Sequence, residues 1–266
     1  MAYTDQFSLA SSVSAEARAQ KTKDLRLGYN QIMKVALVTG AGKGLGKGFA
    51  EFLSENGYFV YAGVHKLSDK AQSPPLNVKI LELDVRDDKS IAQSIETIKS
   101  DRGEIDLLVN NAGLNKDSAT SGNKELVTRL DSLDRQALLK MFDVNAVGPL
   151  MVVKHAIELM KNDPAYIINI SSERASYENA MHDSHANYGY KASKAALNML
   201  SKVLVFDLPK NVSVVAVHPG GVRTNMNPNG AFEPKQAATK IHKIIENWDP
   251  ELNGKYVYND GSLHPL

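Results

Sequence analysis

A short apolar segment that runs into a glycine-rich turn, at residues 34–46, constrains the fold of this chain more than any other feature. Residues 34–39 have the apolar content of a buried β-strand, and Gly40-Ala-Gly-Lys-Gly-Leu-Gly46 follows them. A helical pattern then begins near Leu45 and ends by Gly57. This order forms the first half of a dinucleotide-binding unit, because glycines let the backbone approach a pyrophosphate and the helix N-terminus offers it unpaired N–H groups. A glycine-rich turn without a ligand is the alternative.

Apolar strand-type segments and helical segments alternate along the rest of the chain. This alternation predicts a parallel sheet covered on both faces, with right-handed crossovers. We therefore predict an α/β fold with a single Rossmann-type, doubly wound, parallel seven-stranded sheet and helices on both faces. The strands are predicted at 34–39, 58–64, 78–83, 105–110, 165–171, 212–218 and 254–258. The helices are predicted at 45–56, 87–101, 133–161, 188–206 and 234–247.

Residues with binding or catalytic chemistry directly follow several of these strands, namely Gly40, Asn110, Ser172 and Pro219. Ligands of a doubly wound sheet bind outside the carboxyl ends of its strands, at the point where the strand order reverses. We therefore expect these positions to meet at one edge of the sheet.

A tyrosine and a lysine, Tyr190 and Lys194, stand four residues apart in the predicted helix 188–206. This spacing places both side chains on one helical face. A free phenol has a pKa near ~10, and a nearby ammonium group favours the phenolate and lowers that pKa. The pair therefore suits acid–base chemistry, although the same spacing also occurs on solvated helices.

The turn spacing Thr39-Gly40-x-x-x-Gly44-x-Gly46 resembles that of the short-chain dehydrogenase/reductase family. Further segments match the motifs of that family in order: Asp84-Val85, Asn110-Asn111-Ala112-Gly113, Asn145, Ser171-Ser172, Tyr190 with Lys194, and His218-Pro-Gly-Gly-Val-Arg-Thr224. The match covers roughly residues 33–266. The resemblance implies an NAD(P)-dependent oxidoreductase that interconverts a carbonyl and an alcohol on a small molecule.

Within that family, the chain is similar to the carbonyl-reductase-like group that includes sniffer and the C-factor proteins. The interval from Ser172 to Tyr190 is longer than is common in the family, and residues 253–261 resemble the last strand and glycine turn of that group. Gly221 departs from the aromatic residue that the group often has, and the usual terminal tryptophan is missing. A nucleotide-bound signalling or sensor protein with little turnover is the alternative function. The intact Tyr190 and Lys194 argue against it.

The resemblance implies catalytic roles for Asn145, Ser172, Tyr190 and Lys194. Tyr190 would give its proton to the carbonyl oxygen, and Lys194 would lower the pKa of Tyr190 and bind the nicotinamide ribose. Ser172 would donate a hydrogen bond to the substrate oxygen, with Ser171 as the competing candidate. Asn145 would hold a water that links Lys194 to solvent, or would only mend a helix kink nearby.

The choice of cofactor depends on the end of the second strand. An NAD-specific site places an acidic residue there for the ribose 2′-OH, whereas residues 64–66 are Val-His-Lys and Asp69 stands only nearby. Lys43 resembles the basic residue that NADP-preferring members place in the glycine turn. We therefore favour NADP(H), with NAD(H) as the alternative. Lys43 could instead be a solvated loop lysine without a role in binding.

The resemblance also implies a full set of cofactor-binding positions. Asp84 would meet the adenine, Asn111 the adenosine ribose, and Thr224 the carboxamide, although each could instead serve as a turn or cap residue. The complete set is Gly40, Gly42, Lys43, Gly44, Leu45, Gly46, His65, Asp84, Val85, Asn111, Ala112, Gly113, Tyr190, Lys194, Pro219, Gly220, Val222 and Thr224.

Composition narrows the remaining possibilities. The net charge of +1 implies no nucleic-acid partner, and the absence of cysteine excludes disulfides and thiol catalysis. No apolar run approaches the ~18 residues of a membrane span, so we expect no membrane association and a cytoplasmic protein. The polar loop 173–187 contains His182, Asp183 and His185, but no third ligand at a fixed spacing is visible, so we predict no metal.

Residues 1–32 are rich in Ser, Ala, Gln and Lys and show little apolar periodicity. We expect them to form an N-terminal extension, either an arm or a helix, and residues 33–266 to form the catalytic domain. Wide apolar faces on the predicted helices 133–161 and 188–206 further predict a homodimer or homotetramer, because one face of each helix must cover the sheet and the family pairs the opposite faces. The interval 173–189 is too short for the insertion that blocks this surface in some carbonyl reductases.

Overall fold

The computed structural model describes residues 33–69, 74–115, 120, 122–123, 125–179 and 186–266. Lys34–Leu266 form one compact unit. The predicted N-terminal extension 1–32 lies outside the described residues, and so do His182, Asp183 and His185.

Seven parallel strands form a single sheet, which confirms the predicted fold class. The strands are β1 Lys34–Thr39, β2 Tyr58–Val64, β3 Val78–Glu82, β4 Leu107–Asn110, β5 Ala165–Ile170, β6 Val212–His218 and β7 Tyr256–Tyr258. Their order in the sheet is β3-β2-β1-β4-β5-β6-β7. The order reverses between β1 and β4, so the binding crevice of such a sheet lies at the carboxyl ends of these two strands.

Seven α-helices connect the strands in the described residues. They are α1 Gly44–Glu55, α2 Asp88–Asp101, α3 Glu125–Thr128, α4 Arg135–Phe142, α5 Gly148–Ala156, α6 Tyr188–Leu204 and α7 Pro234–Glu246. Short 3-10 turns occupy Leu67–Asp69, Leu130–Ser132, Ile157–Leu159, Glu173–Ala175 and Pro250–Leu252. The predicted strands and helices are present, and most of their boundaries agree within a few residues, whereas the short helix α3 was not predicted.

The predicted helix 133–161 is interrupted. Between α4 and α5 lies a π-helical turn, Asp143–Val147, in which the Gly148 N–H donates to the Asp143 carbonyl five residues back. Pro149 stands at the second position of α5 and lacks an N–H, so it cannot donate to the carbonyl of Asn145 as an α-helix would require. The wider turn therefore appears where the regular ladder is broken.

Both faces of the sheet are buried in separate apolar cores. Alternate residues of β1 point to opposite faces, so Ala36 and Val38 pack in the core beneath α1 and α7, whereas Val35 and Leu37 pack in the core beneath α2 and α5. Full burial of one such aliphatic side chain contributes about 1.5–3 kcal/mol. Two dry faces explain why the strands are almost uninterrupted apolar runs.

The helical run Arg135–Leu159 is long and apolar enough to cross a membrane by length and composition, although no apolar run of that length was expected from the sequence. Half of its most apolar part is buried inside the protein. Core helices of globular domains have the same length and composition, so the run is weak evidence for a membrane span.

Candidate active site

The cofactor positions predicted from sequence lie at the carboxyl edge of the sheet, in the segments that follow β1, β2, β3, β4 and β6. Gly40, Gly42, Lys43, Gly44, Leu45 and Gly46 form the β1–α1 turn and the start of α1. His65 follows β2, Asp84 and Val85 follow β3, Asn111, Ala112 and Gly113 follow β4, and Pro219, Gly220, Val222 and Thr224 follow β6. The catalytic candidates Ser172, Asn145, Tyr190 and Lys194 follow β5 or lie on the π-helical turn and α6.

The β1–α1 turn forms a cradle that requires glycine at positions 40, 44 and 46. Gly40 and Gly44 have left-handed backbones, with φ of 64° and 55°. A Cβ atom on Gly46 would lie 2.4 Å from the Gly40 carbonyl oxygen and 2.4 Å from the Asn111 Nδ2 atom. No side chain caps the N-terminus of α1, and no acidic residue occupies its first turn. This geometry suits a pyrophosphate held by backbone N–H groups.

A hydrogen-bond network joins this turn to the end of β4. The Thr39 hydroxyl accepts from the N–H groups of Asn111 and Ala112, at 3.0 Å each. The Asn111 Nδ2 atom donates to the carbonyls of Thr39, at 2.9 Å, and Gly40, at 3.2 Å. The Asn111 amide therefore binds the turn itself, and its predicted contact with an adenosine ribose remains a proposal.

The segments after β2 and β3 bring together a cluster of charged side chains. Asp84 accepts from Arg86 through both carboxylate oxygens, at 3.0 and 2.7 Å, and His65 Nε2 lies 3.3 Å from the second oxygen. Burial raises the pKa of the Asp84 carboxyl, but the hydrogen bonds and charge of Arg86 outweigh burial and place this pKa below its usual value. Arg86 was not predicted as a site residue, although a basic residue two positions after Asp84 could have been expected to pair with that carboxylate.

The loop after β6 approaches the glycine turn from the other side. A Cβ atom on Gly44 would lie 3.1 Å from the Thr224 methyl carbon, so Thr224 borders the cradle. Gly220 has a φ of 80°, and the Asn259 side chain donates to the Pro219 carbonyl at 2.9 Å. The loop is thus held against the site by β7 and its following turn.

Lys194 lies inside the protein with its ammonium group at the end of β5. It is 4% exposed, and its Nζ atom donates to the Ile170 carbonyl at 2.7 Å. Burial lowers the pKa of Lys194 to about 8. The group can therefore exchange a proton near neutral pH, which an exposed lysine cannot.

Tyr190 packs its ring against α3 and α4 and lies near the Ser172 side chain. Burial raises the pKa of Tyr190, whereas the Ser172 hydrogen bond and the charge of Arg174 lower it, and the net shift is upward. A net lowering of the Tyr190 pKa, expected from Lys194, is therefore not seen in this structure, because desolvation of the phenol outweighs the groups that lower its pKa.

The two serines after β5 point to different partners. The Ser171 hydroxyl is buried and donates to the Asn198 Oδ1 atom at 2.6 Å. The Ser172 hydroxyl accepts from the Arg174 N–H at 3.3 Å and faces Tyr190. The geometry therefore supports Ser172 over Ser171 as the group next to a substrate.

Asn145 is fully buried on the π-helical turn. Its Oδ1 atom accepts from the Leu114 N–H at 2.7 Å, and its Nδ2 atom donates to the Leu114 carbonyl and the Ser193 hydroxyl, at 3.0 Å each. A Cβ atom on Gly113 would lie 3.4 Å from this Oδ1 and 3.7 Å from the Lys194 Nζ atom. Both donors of the amide are therefore used, and Oδ1 keeps a second lone pair.

No group of three or more His, Asp or Glu side chains in the described ranges could hold a metal ion. The site instead combines a glycine cradle for an anion with a Ser–Tyr–Lys set at the carboxyl edge of a Rossmann-type sheet. These features define a dinucleotide-binding oxidoreductase.

A family model for short chain dehydrogenase matches residues 34–233, and the chain belongs to this family. The chain is 30% identical over 253 residues to short chain dehydrogenase gsfK of Penicillium aethiopicum. The match covers 85% of this chain and 96% of that protein. It is therefore an enzyme of the oxidoreductase class, and a sensor without turnover is not favoured.

Solved structures that share the fold include two with more than 25% sequence identity to this chain. Carbonyl reductase Sniffer of D. melanogaster is 26% identical, with a TM-score of 0.76, and the match covers 88% of this chain and all of that one. A short chain dehydrogenase from Burkholderia cenocepacia, solved in complex with NADP, is 29% identical, with a TM-score of 0.68 and coverage of 86% and 89%. The similarity to Sniffer agrees with the resemblance seen in the sequence.

Proposed function

We propose that this protein reduces the carbonyl group of a small molecule to an alcohol with NADPH, and catalyses the reverse reaction, with Tyr190 as the acid and base. The observation that carries the proposal is that Ser172, Tyr190 and Lys194 lie at the same carboxyl edge of the sheet as the glycine cradle. The relatedness to Sniffer, a carbonyl reductase, supports the same reaction.

The mechanism follows from the protonation states of the site. When bound, the nicotinamide cofactor supplies the hydride, and the protein must stabilise the oxygen on which negative charge develops. Burial keeps Tyr190 protonated, so it can give its proton to that oxygen. Ser172 donates a hydrogen bond to the same oxygen. The positive charge of Lys194, one helical turn away from Tyr190, stabilises the phenolate that remains.

The preference for NADPH is supported by charge at the adenosine end. Lys43 is exposed at the N-terminus of α1, and His65 stands at the end of β2, where an NAD-specific site has a carboxylate. Arg86 neutralises the Asp84 carboxylate, so that group does not repel a 2′-phosphate. The Burkholderia relative bound to NADP is consistent with this choice, and NADH is the alternative.

Turnover itself is tested by the oxidation of NADPH, followed at 340 nm, with a panel of aldehydes and ketones. We expect a substrate-dependent rate that exceeds the rate without substrate. Cofactor binding without turnover of any carbonyl or alcohol would favour a sensor and contradict the proposal.

Replacement of Lys43 should change the response to NADPH selectively. Loss of one charge-assisted hydrogen bond costs about 1.5–3 kcal/mol, so we expect Lys43→Ala to raise the KM for NADPH by roughly 10- to 100-fold and to affect NADH little. Lys47→Ala is the matched control, because Lys47 pairs with Glu51 at 3.5 Å further along the same helix. Equal effects of Lys43→Ala on both cofactors would show that it does not bind the 2′-phosphate.

The pH dependence should reflect the low pKa of Lys194. Above about pH 8 the lysine loses the positive charge that stabilises the phenolate of Tyr190 formed during reduction. We therefore expect the rate of carbonyl reduction to fall as pH rises through about 8. Alcohol oxidation releases one proton overall, which passes from the alcohol to Tyr190 and must then leave the site, so this direction should increase over the same range. Steady-state rates in both directions between about pH 6 and 10 test this, and a flat profile would contradict it.

We further propose that the protein forms a homodimer or homotetramer through the faces of α6 and of the helical run 135–159 that point away from the sheet. Met199 and Phe206 are 64% and 84% exposed on and just after α6, and Leu139 and Val147 are exposed on the neighbouring helical run. Symmetric pairing of such surfaces is the commonest form of assembly.

Light scattering at micromolar concentration should give at least twice the chain mass of 29.0 kDa. The double substitution Met199→Glu with Phe206→Glu should yield the monomer, because burial of two new charges opposes pairing. Leu76→Glu, in an exposed loop before β3, is the control and should leave the mass unchanged. A wild-type mass near 29 kDa would refute the assembly.

A further inference from the structure

The peptide bond between Ser172 and Glu173 is held on both sides by side chains from β6 and β7, the next two strands of the sheet. The Tyr256 hydroxyl, on β7, donates to the Ser172 carbonyl at 2.6 Å. On the opposite side, the Glu173 N–H donates to the Nδ1 atom of His218, the last residue of β6, at 3.1 Å. One peptide group therefore has both of its polar atoms bound to side chains outside its own loop.

A clamp of this kind determines the direction of the Ser172 side chain. The peptide group is planar, so binding its carbonyl oxygen and its N–H at once fixes the orientation of the plane. The plane follows Ser172 directly, so its orientation sets the last backbone torsion of that residue. The Ser172 hydroxyl lies close enough to Tyr190 to lower the pKa of the phenol, and this placement depends on the backbone position of Ser172.

The two clamping side chains have the protonation states that the clamp requires. His218 accepts from an amide N–H, so Nδ1 is unprotonated and the ring is neutral with its proton on Nε2. Burial lowers the pKa of His218 to about 4, which keeps it neutral. Burial also raises the pKa of Tyr256, so its hydroxyl remains a donor.

Stacked rings fix the position of Tyr256. The His264 ring lies between Tyr256 and Tyr258, with centroids 4.3 and 4.1 Å away, and its edge faces His218 at 5.7 Å. Tyr256 and His264 are each 5% exposed. The segment that follows β7 thus supports the clamp from behind, and neither Tyr256 nor His264 would contact a substrate.

We propose that Tyr256 and His218 are positioning residues for the reaction, which hold the Ser172–Glu173 peptide so that the Ser172 hydroxyl faces Tyr190 and the substrate oxygen. The proposal rests on the function proposed above. It adds two residues, 84 and 46 positions from Ser172 in sequence, that act on the reaction without contact with the substrate.

The first test compares Tyr256→Phe with Tyr258→Phe. Both substitutions remove one hydroxyl and keep the ring stacked on His264, but only Tyr256 donates to Ser172. We expect Tyr256→Phe to lower kcat by roughly three- to tenfold, with the KM for NADPH unchanged, and Tyr258→Phe to leave kcat within about twofold.

The second test compares His218→Asn with His218→Leu and does not depend on turnover. The asparagine side chain offers an acceptor oxygen near the place of Nδ1, whereas leucine offers none. Amide hydrogen exchange at Glu173, measured by NMR on the full chain without cofactor, should accelerate roughly three- to tenfold in His218→Leu and much less in His218→Asn. The Ser171 N–H, which donates to the Val217 carbonyl at 2.8 Å, is the internal reference.

The outcomes separate this proposal from the proposed function. Wild-type turnover with unchanged kcat in Tyr256→Phe, or equal exchange at Glu173 in all His218 variants, would overturn the clamp and leave the reductase assignment intact. A wild-type protein that turns over no carbonyl would overturn the reductase assignment, and the exchange comparison would then decide on the clamp alone.

Discussion

Tyr190→Phe should remove nearly all turnover while leaving cofactor binding close to that of the wild type. A general acid–base group typically contributes roughly 10²–10⁴ in rate, and phenylalanine keeps the ring that packs on α3 and α4 but has no proton to give. We expect kcat to fall by that factor. Steady-state rates with the best substrate of the panel, together with a fluorescence titration of NADPH, measure both parts of the expectation.

Tyr188→Phe is the matched control for this substitution. Tyr188 is 41% exposed at the start of the same helix, so its hydroxyl should contribute little to kcat. If Tyr190→Phe retained more than about a tenth of the wild-type rate, the assignment of Tyr190 as the acid would be wrong.

Ser172→Ala should lower kcat by roughly 10²–10³, which is the usual cost of removing a hydrogen bond to an oxygen that gains negative charge in the transition state. Ser171→Ala removes an identical hydroxyl one residue away. That hydroxyl is bound to Asn198 on the protein side, so its loss should affect stability by about 0.5–1.5 kcal/mol and kcat little.

The comparison of the two serines is decided by kcat at saturating NADPH and by the midpoint of thermal unfolding. A larger loss of kcat in Ser171→Ala than in Ser172→Ala would reverse the assignment. Equal and small effects on kcat would mean that neither hydroxyl stabilises the substrate oxygen.

The fold was predictable because its signals are local and periodic. Both faces of the sheet are dry, so each strand is a nearly continuous apolar run, and the helices between the strands follow from alternation alone. The glycine turn was visible because left-handed backbone at Gly40 and Gly44 demands glycine whatever the rest of the chain does. The prediction of a single helix at 133–161 was wrong in one detail, since a proline can redirect a hydrogen-bond ladder without ending the helical run.

The site was predictable as a set of positions and not as a set of interactions. An i,i+4 spacing places Tyr190 and Lys194 on one face in any helix. The direction of their pKa shifts depends on burial, which only the packed structure defines, and burial raised the pKa of Tyr190 against expectation. Arg86 was likewise visible in the sequence, but its ion pair with Asp84 depends on the shape of the loop after β3.

By itself, the sequence determined the sheet, the glycine cradle and the residues able to perform acid–base chemistry, because these depend on residue type and short spacing. Only the tertiary structure decided which serine faces Tyr190 and how its peptide is held. Those answers depend on Asn198, His218 and Tyr256, which reach the end of β5 from other elements of the chain. Contacts between residues far apart in sequence leave no periodic pattern, since they form only when the strands are placed side by side in the order β5-β6-β7.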